Sequence, residues 1–172
     1  MNEKTKIAIE IEKKYIIKMP NISILKAQTG YTESRILQIY LPCAEGETRR
    51  IRKRVKAGKA AYTETRKIRI DKMSSNEIER EITESEFSLL SQNILESTRP
   101  IEKTRYTFIY KEQLFEIDLY PEWKHTAIME TELDSRERTV DFPEFLEIVK
   151  DVTGDKSYSN RGMSHTFPKE QL

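Results

Sequence analysis

Arg50, Arg52 and Arg54 recur at a spacing of two, with Ile51 and Lys53 between them. In an extended strand that spacing puts all three guanidinium groups on one face. The same arrangement recurs with the opposite sign in Glu10 with Glu12, Glu77 with Glu79 and Glu81, Glu116 with Asp118, and Glu130 with Glu132. Further cations stand in the same phase at Lys14, at Lys67 with Arg69, and at Lys103 with Arg105. Arginine forks pair with two phosphate oxygens at once and stay charged, while clustered carboxylates suit hard divalent cations. Like charges two apart on a strand repel, which a solvated face gains nothing by keeping. Together the clusters describe chemistry for a metal–polyphosphate complex.

The elements that must carry these residues are short strands of period two, at Ile7–Ile17, Arg35–Leu41, Thr48–Val55, Ala61–Ile70, Asn76–Ile82, Glu102–Tyr110, Gln113–Tyr120 and Thr126–Leu133. Most connections are too short for parallel crossovers, so the pairing is antiparallel. Helices are predicted in three places. Thr83 and Glu86 fit a capping box that opens a helix carrying Phe87, Leu90, Ile94 and Leu95. A second helix is predicted from Pro143 to Val152, on the spacing of Phe142, Phe145, Leu146 and Val149, and a third over Ile22–Gln28. The class is α+β. If helices cover the apolar strand faces from outside, the charged faces must turn inward. An eight-stranded antiparallel β-barrel enclosing a charged tunnel, with helices packed outside, satisfies that demand.

Composition narrows the alternatives. A length of 172 residues suits one domain, residues 1–172. The net charge is +1, and no apolar run approaches the roughly 20 residues a membrane helix needs. No signal peptide is read at the N-terminus and Cys43 is the single cysteine, so a cytoplasmic monomer or homodimer is expected. With only His125 and His165 beside it, any metal must sit on oxygen ligands, which favours Mg2+ or Mn2+. The run 49–72 carries eleven Lys and Arg, a possible nucleic-acid face, but the neighbouring carboxylate strands make that partner unlikely. Trp123 reads as a packing aromatic, and His165 and Cys43 show no sequence neighbours suited to catalysis.

The pattern resembles the CYTH superfamily, the triphosphate tunnel metalloenzymes. The resemblance rests on the ExExK run Glu10, Glu12, Lys14, followed in order by Gln38 with Tyr40, Arg50 with Arg52, Thr65 with Lys67, Glu77 with Glu79, Lys103 with Arg105, Asp118, Glu130 with Glu132, and Lys156, Tyr158 and Asn160. It implies a tunnel barrel and a metal-dependent triphosphatase acting on inorganic triphosphate, an organic triphosphate or polyphosphate. A class IV-type adenylate cyclase and a non-catalytic polyphosphate or RNA binder are the alternatives. By the resemblance, Glu10, Glu12, Asp118, Glu130 and Glu132 are metal ligands, and Lys14, Arg50, Arg52, Lys67, Arg105 and Lys156 bind phosphate. Arg54 extends that basic face, and Glu77, Glu79 and Glu81 are candidates for a second metal or a water. Lys103, with Tyr40, is linked to the attacking water or the leaving group.

Overall fold

The computed structural model describes residues 6–71 and 74–172, with side chains from Ile11 onward. Its strands are β1 (Lys6–Lys18), β2 (Thr32–Leu41), β3 (Glu47–Lys56), β4 (Lys59–Arg69), β5 (Ser74–Glu81), β6 (Ile101–Tyr110), β7 (Gln113–Leu119), β8 (Thr126–Glu132) and β9 (Ile148–Asp151). Helices α1 (Ile22–Lys26), α2 (Glu84–Leu90) and α3 (Asn160–His165) are short, and a 3-10 turn at Lys156–Tyr158 precedes the last. Eight strands close into an antiparallel barrel in the order β5-β4-β3-β2-β6-β7-β8-β1, and β1 pairs back onto β5 to complete the ring. The first half of β1 pairs with β5 as far as Ile11↔Ser74, and the second half with β8 from Glu12↔Glu132 onward.

Alternation decides what each strand shows to either side. The inward face of β3 is 48, 50, 52 and 54; its outward face carries Ile51, which is fully buried under α2 with Ile39, Leu41, Ile82 and Phe87. That helix starts as expected: the Thr83 hydroxyl accepts from Glu86 N at 3.1 Å, and the Glu86 carboxylate accepts from Thr83 N at 2.7 Å. It ends at Leu90, so Ile94 packs from the following turn rather than from the helix. A second outer core joins Tyr15, Ile17, Tyr106, Phe108, Phe115, Ile117 and Met129, covered by Leu25 of α1 and by Leu146.

The third core lies inside the barrel. Ile16, Ile101, Tyr120 and Ile128 share their strands' inward phase with Lys14, Lys103, Asp118 and Glu130, and pack against Trp123, Val152, Tyr158 and Met163. One end of the interior is thus stoppered by apolar side chains, and Trp123 is a core residue whose indole N–H donates to Pro168 O at 3.0 Å.

The helix expected over 143–152 does not form. Phe145 and Leu146 pack against the outer core from turns, and Ile148–Asp151 is β9. The reason is the edge of β1. Its pairing with β5 stops at Ile11, leaving the backbone at 15–17 unpaired on that side, and β9 supplies the missing partner through Tyr15↔Asp151 and Ile16↔Lys150.

Candidate functional site

A cavity of about 910 Å³ runs through the charged part of the barrel. One wall is cationic: Arg50, Arg52 and Arg54 from β3, with Lys67 from β4. The facing wall is carboxylate: Glu12 from β1, Glu116 from β7, and Glu130 with Glu132 from β8. Lys14 and Arg105 stand among those carboxylates, Glu77 and Glu79 line the β5 side, Tyr40 comes from β2, and Lys156 sits at the mouth by α3. Strand alternation alone explains the walls, since each of these residues shares its strand's inward phase.

The carboxylate wall is partly neutralised internally. Asp118, with no exposed side-chain surface, accepts from Arg105 Nε at 2.6 Å and Nη2 at 2.7 Å, and from Lys103 Nζ at 2.6 Å. Arg105 also pairs with Glu116, and Lys14 pairs with Glu130 at 2.9 Å while donating to Tyr158 O at 3.3 Å. Burial would raise Glu130 and Asp118, but the surrounding cations prevail and hold both carboxylates below their usual range. Glu116 goes the other way: burial, joined by repulsion from Glu130 and Asp118, pushes it up against the pull of Arg105. Burial and the neighbouring Arg105 push the Lys103 ammonium down despite its pairing with Asp118.

The cationic wall is neutralised only at one end. Arg50 pairs with Glu77 at 3.0 Å, and Lys67 reaches the same carboxylate at 3.5 Å. Arg52 donates only to a neutral group, Gln38 Oε1, at 2.9 and 3.2 Å. Among the described residues Arg54 makes no ion pair, and its Nε, like that of Arg50, is sealed from solvent with no hydrogen-bond partner. Burial, then repulsion from Arg50, Arg105 and Arg54, push Arg52 down to about 9, and burial with Arg105 lowers Arg54. Both remain charged at neutral pH. An enclosed wall that holds uncompensated guanidinium groups is complementary to an anion.

Gln38 links this wall to Tyr40. With its oxygen occupied by Arg52, the Gln38 amide nitrogen donates to the Tyr40 hydroxyl at 2.6 Å. Burial raises the Tyr40 phenol, so it keeps its proton, and that O–H is available to the cavity.

Of the residues singled out in the sequence, Glu12, Lys14, Tyr40, Arg50, Arg52, Arg54 and Lys67 line the cavity, as do Glu77, Glu79, Arg105, Glu130, Glu132 and Lys156. Lys103 and Asp118 lie behind that surface, in contact with it through Arg105. Glu81 is exposed near the end of β5, opposite Thr63, and does not reach the cavity. The side chain of Glu10 lies outside the described residues; its backbone pairs opposite Ser75. The basic run from Arg49 divides between two faces: Arg50, Arg52 and Arg54 point inward, while Arg49 is held outside by Glu64 at 2.5 Å, and Lys72 lies outside the described residues. Sequence reasoning missed Arg161, which α3 brings to the cavity, named Asn160 beside it without giving it a role, and counted Glu116 as inward without naming it a ligand.

Among the described residues, no three His, Cys, Asp or Glu side chains already surround a metal position. The donor chemistry nevertheless fits a hard divalent cation. Glu12, Glu116, Glu130 and Glu132 border a small space of about 20 Å³, large enough for one water or ion. Mg2+ bound with a phosphate substrate needs only one or two carboxylates, because phosphate and water oxygens complete its shell.

No family model matches the chain, and no curated protein matches it. Solved structures do. The inorganic triphosphatase NE1496 superposes with a TM-score of 0.58 at 24% identity, over 93% of this chain and 97% of its own. PH1819 from Pyrococcus horikoshii OT3 gives 0.55 at 23% identity, over 74% of this chain and 80% of its own. HpAC1 from Hippeastrum, described as an adenylyl cyclase candidate with a dominant triphosphatase activity, gives 0.51 at 16% identity, over 74% and 81%. The chain shares the fold of these proteins, and its own barrel is a closed ring of eight antiparallel strands.

Proposed function

We propose that the chain is a divalent-metal-dependent triphosphatase that cleaves a terminal phosphoanhydride bond of a small triphosphate held in the barrel. The observation that carries this reading is the pair Arg52 and Arg54, two guanidinium groups lining the barrel cavity with no carboxylate partner among the described residues. NE1496, of the same fold, is described as an inorganic triphosphatase, which supports the same reading.

Phosphoryl transfer needs positioning and neutralisation more than covalent chemistry. Arg50, Arg52 and Arg54 grip successive phosphate oxygens through planar forks, and Lys14 and Lys67 act as point charges. Tyr40 donates its free O–H to a phosphate or departing oxygen. Glu12, Glu130 and Glu132 would hold Mg2+ or Mn2+ from the opposite wall, which supplies charge neutralisation and a more acidic bound water. Lys103 acts as a positioning residue, through Asp118, on the Arg105 guanidinium. A nucleotide-specific reading finds its aromatic candidates already engaged: Tyr120, Trp123, Tyr158 and Phe167 pack edge-on or tilted against one another in the apolar stopper.

The test is phosphate release from tripolyphosphate, thiamine triphosphate and ATP with Mg2+, with Mn2+ and with chelator, together with cyclic AMP production from ATP. Release that requires a divalent cation is expected. Full activity in chelator refutes the metal role, and cyclic AMP as the main product assigns a cyclase instead. Binding without any release leaves a non-catalytic polyphosphate module.

A further inference from the structure

The inward face of β3 supplies arginine at 54, 52 and 50, and then threonine at 48. A guanidinium reaches that next rung from elsewhere. Arg161 of α3 lines the cavity and donates from Nη1 to Glu47 O at 2.9 Å and to Thr48 Oγ1 at 3.3 Å. Both acceptors are neutral, so the partly buried Arg161 is anchored in place while no carboxylate among the described residues pairs with its charge. The ladder 54, 52, 50 is thereby continued by Arg161 at the level of Thr48. Six residues of strand cover about 20 Å, longer than three linked phosphates extend.

Resting on the triphosphatase reading, we propose that Arg161 is the fourth rung of this ladder and a specificity-determining residue. It engages a phosphate beyond the third, so that the site takes linear polyphosphates longer than triphosphate. The surroundings agree. The wall near Arg161 is built mostly from small or polar groups, Gly46, Glu47, Thr48, Ser159, Asn160 and Gly162, with the Lys156 ammonium and the His165 imidazole beside them. A further phosphate, flexible and anionic, fits that lining. Arg161 is not required to touch the reacting bond; it fixes how much chain lies on its side of the central three rungs.

The experiment is equilibrium binding of tripolyphosphate and of tetrapolyphosphate to the full chain by calorimetry in chelator, so that neither probe is consumed. The parent protein is expected to bind tetrapolyphosphate more tightly than tripolyphosphate. Arg161→Gln retains an amide donor for Glu47 O but removes the charge, and is expected to cut that preference about tenfold, the worth of one charge-assisted hydrogen bond. Arg161→Lys is expected to restore part of it. A structural clamp would lower the melting temperature without changing the ratio between the two ligands, so an unchanged ratio in Arg161→Gln overturns the proposal. A parent that binds tripolyphosphate but shows no preference for the longer chain overturns it as well, leaving the triphosphatase reading intact. A parent that binds neither ligand overturns the proposal, and overturns the triphosphatase reading as well when it also releases no phosphate with Mg2+ or Mn2+.

Discussion

Replacing Arg54 by Met should stabilise the empty protein while weakening its hold on phosphate. Among the described residues Arg54 makes no ion pair, and its Nε is buried without a partner. A buried unsatisfied donor costs about 1–3 kcal/mol, and burial and Arg105 further disfavour the charge. Against this stand the longer-range attractions of Glu116, Asp118 and Glu79. Methionine keeps most of the aliphatic stem and strands no partner, so a net gain of about 1 kcal/mol is expected. For a domain of this size that is a rise of about 2–4 °C in Tm. Arg50→Met is the matched control. It removes an equally orphaned Nε, but also strips Glu77 of its 3.0 Å partner, while Lys67 stays within 3.5 Å. Breaking a buried pair costs about 3–5 kcal/mol; with Lys67 remaining, about 2 kcal/mol and a fall of about 4–8 °C are expected. Calorimetric melts of the three empty proteins measure the contrast. Tripolyphosphate titrations of the same samples should show both variants binding about 10–100-fold more weakly, one charge-assisted bond each. A several-degree fall for Arg54→Met, or undiminished binding, would refute the uncompensated wall as the anion site.

Gly162→Ala should destabilise the protein and weaken tripolyphosphate binding together, because a Cβ there would lie 2.0 Å from Lys156 O and force apart the turn and helix that carry Lys156 and Arg161; melts and calorimetry check it. Lys103→Met should lower kcat more than it raises KM for tripolyphosphate, since Arg105 still holds Asp118 and what is lost is the setting of that guanidinium. A drop in Tm with kcat unchanged would make Lys103 purely structural. Outside the barrel, burial alone would raise Glu64, but Arg49 at 2.5 Å and Arg80 at 2.5 Å outweigh it and hold its carboxyl below the usual range. A depressed carboxylate stabilises above its unfolded pKa of about 4.3 and loses that contribution as pH falls through the folded value. Urea melts should therefore find Glu64→Gln less stable than the parent at neutral pH, with the gap closing in acid.

The charged walls were legible in the sequence because a strand has a period of two and nothing else is needed to sort Arg50, Arg52 and Arg54 from Arg49, Ile51 and Lys53. The capping box of α2 was legible for a similar reason: Thr83 and Glu86 satisfy each other's backbone groups within a single turn. What failed depended on distant partners. Phe142, Phe145, Leu146 and Val149 have helical spacing, yet the segment extends because β1 has an unpaired edge at 15–17, a demand set more than a hundred residues away. Arg161 failed for the same reason. No local spacing marks Arg161 as a cavity residue, since its role comes from the carbonyl of Glu47 and the hydroxyl of Thr48 across the barrel mouth. Even the inward residues divide on this ground: Lys103 and Arg105 share one phase of β6, but Lys103 is drawn behind the surface by Asp118 and Asn160 while Arg105 stays in the lining. Local periodicity selects which face a charge takes. Which charges on that face remain free to meet a substrate is decided by the counter-ions that neighbouring strands bring opposite them, and Arg52 and Arg54 are left free because β2 and β4 offer them Gln38, Ile36, Thr63 and Ala61 rather than carboxylates.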